Sequence, residues 1–256
     1  MGMLDKFMLT EKTVLITGGA GNIGKAVASD MAEMGADIVI ADCNQDEAAA
    51  FAAQLCEKGS NSIAVGADIT KPDQVQRLVD TVVKAYGKID VLYNNAGRFA
   101  VAPAEDMEYQ AWLDMLDVCL NGVFLTTQRV GREMIKRGRG SIVTTASMSG
   151  VIVNYPRPQV AYNTAKAGLI HMMRSFAMEW APYGIRVNTV SPGYIDNPRI
   201  HSRISEDLLN FFNKITPMHR MADEHEISGA VIYLAGDAAT YTTGINLIVD
   251  GGYTIL

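Results

Sequence analysis

Apolar runs and helical patterns alternate along this chain from end to end. Thr13-Val14-Leu15-Ile16-Thr17 is a nearly unbroken apolar run, the form taken by a parallel strand buried on both faces. A glycine cluster follows, then a helical pattern over about Ile23–Met34 that stops near Gly35. Asp37–Ala41 and Ser62–Val65 read as the second and third strands, with a helix over Gln45–Lys58 between them that ends at Gly59. Pro72 opens a helix running to about Tyr86, where Gly87 ends it. Ile89–Tyr93 is a fourth strand and Ser141–Thr145 a fifth, separated by a long amphipathic pattern over roughly Met107–Lys136. Val160–Trp180 is a helix closed by Pro182 and Gly184, and Ile185–Val190 is a sixth strand. Residues 194–220 break the rhythm and read as a mobile segment with a short helix of its own. A last helix at Asp223–Leu234 and a last strand at Ile245–Val249 complete the series. Seven strands alternating with helices predict an α/β, doubly wound parallel sheet with right-handed crossovers and helices on both faces. No repeat or linker-like stretch divides the 256 residues, so a single domain over 1–256 is expected.

Chemistry-bearing residues sit at the ends of these strands. Thr17-Gly18-Gly19-Ala20-Gly21-Asn22-Ile23-Gly24 joins the first strand to the first helix. Glycines there allow a sharp turn and let backbone N–H groups approach a pyrophosphate at the positive end of a helix. In this position, strand before and helix after, the loop points to a dinucleotide. Asp42 lies eighteen residues past Gly24, at the end of the second strand. A carboxylate there accepts hydrogen bonds from the adenine ribose and repels a 2′-phosphate, and neither Cys43 nor Gly21 offers a basic side chain. NAD is therefore expected over NADP. Tyr162 and Lys166, four residues apart, share one face of their helix. The ammonium favours the phenolate, which suits general acid/base work. Taken alone, that spacing fits an ordinary amphipathic helix as well.

The formal net charge of −6 argues against nucleic acid or an anionic membrane as the main partner. No apolar run approaches bilayer-spanning length, and Met1–Phe7 lacks a signal-peptide core, so a cytoplasmic protein is expected. Cys43, Cys56 and Cys119 are odd in number and lack metal-ligand spacing, and they read as reduced packing residues. The four histidines are too scattered for a metal cluster, and no metal is expected; His171 reads as a packed helix residue. The 14 methionines read as core filler.

Taken in order, Thr17–Gly24, Asp68, Asn94-Asn95-Ala96-Gly97, Asn121, Ser147, Tyr162 with Lys166, Asn188 and Pro192-Gly193 resemble the short-chain dehydrogenase/reductase family over essentially the whole chain. The resemblance implies a Rossmann-like sheet and hydride transfer between a nicotinamide and an alcohol or carbonyl. It implies that Tyr162 is the acid/base and that Lys166 holds the nicotinamide ribose and tunes the tyrosine. Ser147 would stabilise the substrate oxygen, and Asn121 would hold a water linking Lys166 to solvent. Cofactor contacts are implied at Gly18, Gly21, Asn22, Ile23, Gly24, Asp42, Asp68, Ile69, Asn94, Ala96, Gly97, Tyr162, Lys166, Pro192, Gly193, Ile195 and Asn197. Asp68 would meet the adenine amine. Three departures stand out. Asn22 replaces a loop glycine, and asparagine is among the residues that tolerate positive φ. Asn197 stands where the family has threonine. Ser147 and Tyr162 are fifteen apart, with the extra length in Val151–Gln159 over the substrate.

Ser147–Asn154, Pro156–Gln159, Thr240–Gly244 and the Asp250–Tyr253 ending resemble the sugar-alcohol branch of that family. A polyol needs several polar partners, because a buried hydroxyl without one is costly. Ser149, Asn154, Gln159 and Tyr194 are placed to join Ser147 and Tyr162 in that role, with Asp196–Pro217 folding over as a lid. Arg199, His201 and Arg203 make the lid locally basic, which suits either a solvated face or an anionic sugar. The resemblance further implies a homotetramer, with Met107–Lys136 and Val160–Trp180 paired across one two-fold and the last helix and strand across another. Two other readings stay open: an oxidoreductase of another carbonyl class (a 3-oxoacyl thioester, a steroid or a gluconate-like acid), and a non-catalytic NAD-binding module. The second typically lacks the tyrosine or the lysine, and both are present here.

Overall fold

Every residue of β1 (Thr13–Thr17) is buried, and its side chains divide between two cores. Val14 and Ile16 enter one core, packed with Val27 and Met31 of α1 (Asn22–Glu33), Phe51 of α2 (Gln45–Glu57) and Val231 of α9 (His225–Ala235). Leu15 enters the other, with Leu78 of α3 (Pro72–Tyr86), Val130 of α5 (Gly122–Arg137) and Leu169 of α6 (Val160–Trp180). A strand covered on both sides has no reason to alternate with polar residues, which is why its sequence is continuously apolar. The computed structural model describes residues 2–255, without the side chain of Arg199.

Among the described residues seven strands form one parallel sheet in the order β3-β2-β1-β4-β5-β6-β7. Besides β1 these are β2 (Asp37–Asp42), β3 (Ser62–Gly66), β4 (Val91–Asn94), β5 (Gly140–Thr145), β6 (Ile185–Pro192) and β7 (Asn246–Val249). Ile16 pairs with Ile40 on one side and Tyr93 on the other, so β1 lies between β2 and β4, and the strand order reverses there. Ligands of such sheets bind at that reversal, outside the carboxyl ends of the strands. The expected doubly wound architecture is present. No helix among the described residues is long and apolar enough to cross a membrane.

The structure departs from the sequence pattern in several places. The long amphipathic stretch is two helices, α4 (Tyr109–Leu116) and α5, joined by a π-helical turn over Asp117–Asn121. The extra residue in such a turn shifts the phase of every side chain around it. Residues 194–220 hold two helices rather than one: α7 (Pro198–His201), capped by Asn197, and α8 (Glu206–Ile215), capped by Ser205. Phe212 of α8 is fully buried and stacks on Tyr194 at 3.8 Å, which fastens the segment to the body. Among the cysteines only Cys119 packs inside; Cys43, just past β2, and Cys56, in the last turn of α2, are exposed. His171 is also exposed, on the outer side of α6, and is not a packed residue. The methionines divide likewise: Met31 and Met134 fill the core, while Met178 lies open.

Candidate active site

The end of β1 turns sharply at Gly18, whose φ is +62°. A Cβ there would stand 2.6 Å from the Ala96 Cα, and one at Gly24 would stand 2.3 Å from the Gly18 carbonyl oxygen. Both positions therefore require glycine for the loop to close on itself. α1 begins at Asn22 after Gly21, with no side chain capping its first N–H groups. Those donors and the positive helix end face outward over the carboxyl edge of the sheet, a ready seat for phosphate. Asn22 does not adopt positive φ: it is the first helical residue, exposed, and its amide donates to Glu224 Oε1 at 3.3 Å. The departure from glycine costs nothing at this position because the tight turn is made by Gly18 instead.

Asp42 stands at the end of β2 and accepts from the backbone N–H groups of Ala20 (3.2 Å) and Asn44 (3.0 Å). The Cys43 thiol also donates to Oδ1, at 3.6 Å, while Oδ2 keeps a further lone pair, so the carboxylate is held in place yet still able to accept. The bare glycine loop and this fixed carboxylate fit a nicotinamide dinucleotide. Asp68 is less open: its Oδ1 accepts from the Thr70 N–H and hydroxyl at 2.9 and 2.8 Å. Ile69 is buried against Gly122, where any Cβ would come within 2.7 Å of it. Ile69 packs α5 onto the sheet rather than facing the cavity described next.

A cavity of about 630 Å³ opens at the carboxyl ends of β4, β5 and β6, and Ser147, Tyr162 and Lys166 all line it, with Ile23, Gly97, Pro192, Gly193, Tyr194, Ile195 and Asn197. Lys166 is buried, donates to the Thr145 carbonyl oxygen at 2.7 Å, and holds its ammonium 5.7 Å from the Tyr162 ring centroid. The Tyr162 ring is set edge-on against Phe99, with centroids 5.0 Å apart. Ser147 has extended backbone, and its Oγ accepts from the Ser149 N–H at 3.1 Å, which leaves the hydroxyl hydrogen to donate. A phenol, a nearby lysine ammonium and a hydroxyl donor thus share one pocket, groups of the kind that proton transfer to or from an alcohol oxygen can use.

Several residues singled out from the sequence turn their side chains away from this cavity. Asn121 is exposed, and its amide donates to Asp117 Oδ1 at 2.7 Å on the outer side of the π-helical turn. The inward residue of that turn is Cys119, fully buried beside Met115, Ala161 and Ala165, with Tyr162 packed against the same cluster. Asn94 is also turned away from the cavity. Its amide is enclosed by Thr126, Thr127 and Thr144 at 2.8 to 3.3 Å and joins β4 to α5 and β5. Its neighbour Asn95 is the one that lines the cavity, donating to the Gly18 carbonyl at 3.0 Å, while the Ala96 N–H donates to Thr17 Oγ1. Asn188 clasps the loop before β7 through Thr242 and Ile245.

The polar residues expected to meet a polyol are brought together, but they also hold one another. Gln159 Nε2 lies 3.0 Å from Ser149 Oγ, 2.8 Å from Asn154 Oδ1 and 2.9 Å from Asn163 Oδ1, so its two hydrogens serve three acceptors. The Tyr194 hydroxyl is buried beside Asn154 and Tyr253, with neither close and aligned enough for a full hydrogen bond, so it can still serve a ligand. Burial pushes that phenol's pKa up, as does neighbouring Tyr253. Gly193 passes so close to Asp250 that a Cβ would stand 2.7 Å from its Cα. The carbonyl oxygen of the Asn197 side chain accepts from the Ile200 N–H at 3.0 Å, and the residue lines the cavity. Arg98, Phe99, Arg157 and Arg203 line the cavity as well. Arg203 had a sequence signal as part of the basic lid and Arg157 as part of the Pro156–Gln159 stretch; the side chain of Arg199 lies outside the described residues. The aromatic and basic positions after Gly97 were the available clue to the others.

A family model described as Enoyl-(Acyl carrier protein) reductase matches residues 18–254. The chain is 40% identical to a sorbose reductase of Candida albicans, over 98% of this chain and 90% of that one. It is also 40% identical to an NADP-dependent mannitol dehydrogenase of Hypocrea jecorina, over 98% and 96% of the two chains. A crystal structure of NAD⁺-bound xylitol dehydrogenase superposes with a TM-score of 0.91 at 36% identity, covering 95% of this chain and 99% of that one. With its sheet order, glycine loop and Ser147–Tyr162–Lys166 pocket, the chain belongs to the short-chain dehydrogenase/reductase family, among relatives named as polyol dehydrogenases and reductases.

Proposed function

We propose that the protein is an NAD-dependent oxidoreductase that interconverts a sugar alcohol and the corresponding ketose. The observation that carries this reading is the convergence of Ser147, Tyr162 and Lys166 on one polar cavity beside the glycine loop. When bound, the nicotinamide supplies the hydride acceptor or donor. In the oxidative direction Tyr162 takes the proton of a secondary hydroxyl, and in the reductive direction it returns one to the carbonyl oxygen. Ser147 donates to that oxygen and opposes the charge that builds on it. Lys166, held by Thr145, keeps a positive charge beside the phenol and has donors left for a ribose. Tyr194 and the Gln159 cluster supply polar partners for the remaining hydroxyls.

Asp42 supports NAD over NADP, since a carboxylate at the end of β2 repels a 2′-phosphate. A homotetramer is supported by apolar side chains left open on the helices that would pair: Tyr109 on α4, Phe124 on α5 and Met178 on α6. Ile248 on β7 stands at the other expected contact. The free cysteines are consistent with a cytoplasmic setting.

The experiment is an NADH-formation assay across sorbitol, mannitol, xylitol and 3-hydroxyacyl thioesters. Turnover of at least one polyol that is lost in Tyr162→Phe is expected. Activity on the thioesters alone would overturn the polyol assignment.

A further inference from the structure

The cavity above Tyr162 is lined by Arg98, Arg157, Lys166 and Arg203 and, among the described residues, by no aspartate or glutamate, in a chain whose formal net charge is −6. Two of these cations have protein partners. Arg98 pairs with Asp114 at 3.2 Å, and Lys166 donates to Thr145. Arg157 and Arg203 enter no ion pair among the described residues. The Arg157 guanidinium is half-buried and lies over the Phe99 ring, 4.6 Å from its centroid, and that same ring stands edge-on to Tyr162. Such a guanidinium has given up part of its water without gaining a carboxylate. Burial, followed by the like charge of Arg203, pushes its pKa down, while Tyr194 acts in the opposite sense. A buried cation in that condition favours an incoming anion, and the planar guanidinium presents a fork that matches two oxygens of a carboxylate or phosphate.

We propose that Arg157 and Arg203 form an oxyanion subsite one aromatic ring away from Tyr162, and that the preferred substrates are polyols bearing a carboxylate or phosphate at one end. The proposal rests on the reading of Tyr162 as the group that deprotonates a polyol hydroxyl. The anionic end takes no part in the redox step: one C–H and one O–H bond break, the dinucleotide gains the hydride, Tyr162 takes the proton, and the carbonyl forms. Neutral polyols fit the same pocket but leave the two guanidinium groups facing water alone. That difference predicts a selectivity between substrates that share a hydroxylated chain.

The test compares kcat/KM of the full chain with NAD for sorbitol, gluconate and sorbitol 6-phosphate. At least a tenfold advantage of one anion over sorbitol is expected; gluconate alone favoured assigns a carboxylate, and the phosphate ester alone favoured assigns a phosphate. Arg157→Gln and Arg203→Gln should each reduce that ratio about tenfold, chiefly through KM, and weaken equilibrium binding of the preferred anion to the enzyme–NADH complex by a similar factor. Arg203 is exposed, so its variant retains a folded readout even where Arg157→Gln does not fold. Equal turnover of sorbitol and both anions, or a ratio unchanged in both variants, overturns the subsite and leaves the polyol reading standing. Turnover of thioesters alone overturns the polyol reading, and the anion titration then decides the subsite separately: unchanged binding in the variants overturns it.

Discussion

The ammonium of Lys166 donates to the carbonyl oxygen of Thr145 at 2.7 Å. This bond ties the first turns of α6 to the last residue of β5, and so fixes a buried positive charge one helical turn from Tyr162. The carbonyl belongs to the residue at which β5 ends. The sheet therefore supplies the acceptor, the helix supplies the cation and the phenol, and the loop after β5 supplies Ser147.

Tyr162→Phe removes only the hydroxyl and keeps the ring's edge contact with Phe99. Loss of a positioned acid/base lowers kcat by ~10²–10⁴-fold. Dinucleotide affinity should change by less than about threefold, because the glycine loop and Asp42 are untouched. Steady-state rates and a fluorescence titration with NADH check the two halves, and an active phenylalanine variant would sink the assigned role.

Asp42→Ala should erode the preference for NAD over NADP by roughly tenfold or more, equivalent to about 1.4 kcal/mol. The carboxylate's bonds to Ala20 and Asn44 position it, so the alanine variant also loosens the loop, and both cofactors should bind more weakly. The ratio of the two kcat/KM values is the decisive quantity. An unchanged ratio refutes the ribose contact.

Much of this was legible in the sequence, for identifiable reasons. β1 and β2 were plain because burial on both faces demands an unbroken apolar run. Tyr162 and Lys166 were plain because helical spacing alone puts them on one face. The outward direction of the Asn121 side chain was not legible because the turn from Asp117 to Asn121 is π-helical, and a period of 3.6 cannot foresee an added residue. Asn94 and Asn95 are adjacent, and only the direction of β4's last side chains decides which one meets the cavity. The mutual bonding of Ser149, Asn154 and Gln159 lay beyond reach, since it depends on how Val151–Gln159 folds back on itself.

The placement of Asn121 has its own test. Among the described residues its amide meets only Asp117, at the surface, a contact worth about 0.2–0.5 kcal/mol. Asn121→Ala should therefore leave kcat within about twofold and leave the pH profile of the rate unmoved. A large fall in kcat, with a shifted basic limb, would restore a relay role for this residue.

Asp90, at the opposite end of the sheet, accepts from the Thr13 N–H at 3.0 Å and from Arg137 at 2.9 Å, with Lys88 also 3.0 Å away. Burial alone would raise this carboxyl's pKa; the N–H bond and the two cations outweigh burial and hold it below its ordinary value. A carboxyl depressed on folding contributes stability that is complete above its unfolded pKa and is lost as the pH falls through the folded one. Asp90→Asn keeps the shape but leaves Arg137 and Lys88 without their anion, at a cost of about 2 kcal/mol near neutral pH. The thermal midpoint of the variant should therefore lie below that of the parent at pH 7 and converge on it in acid. Parallel curves down to the acid transition would show that Asp90 is not the group whose protonation loosens this end of the sheet.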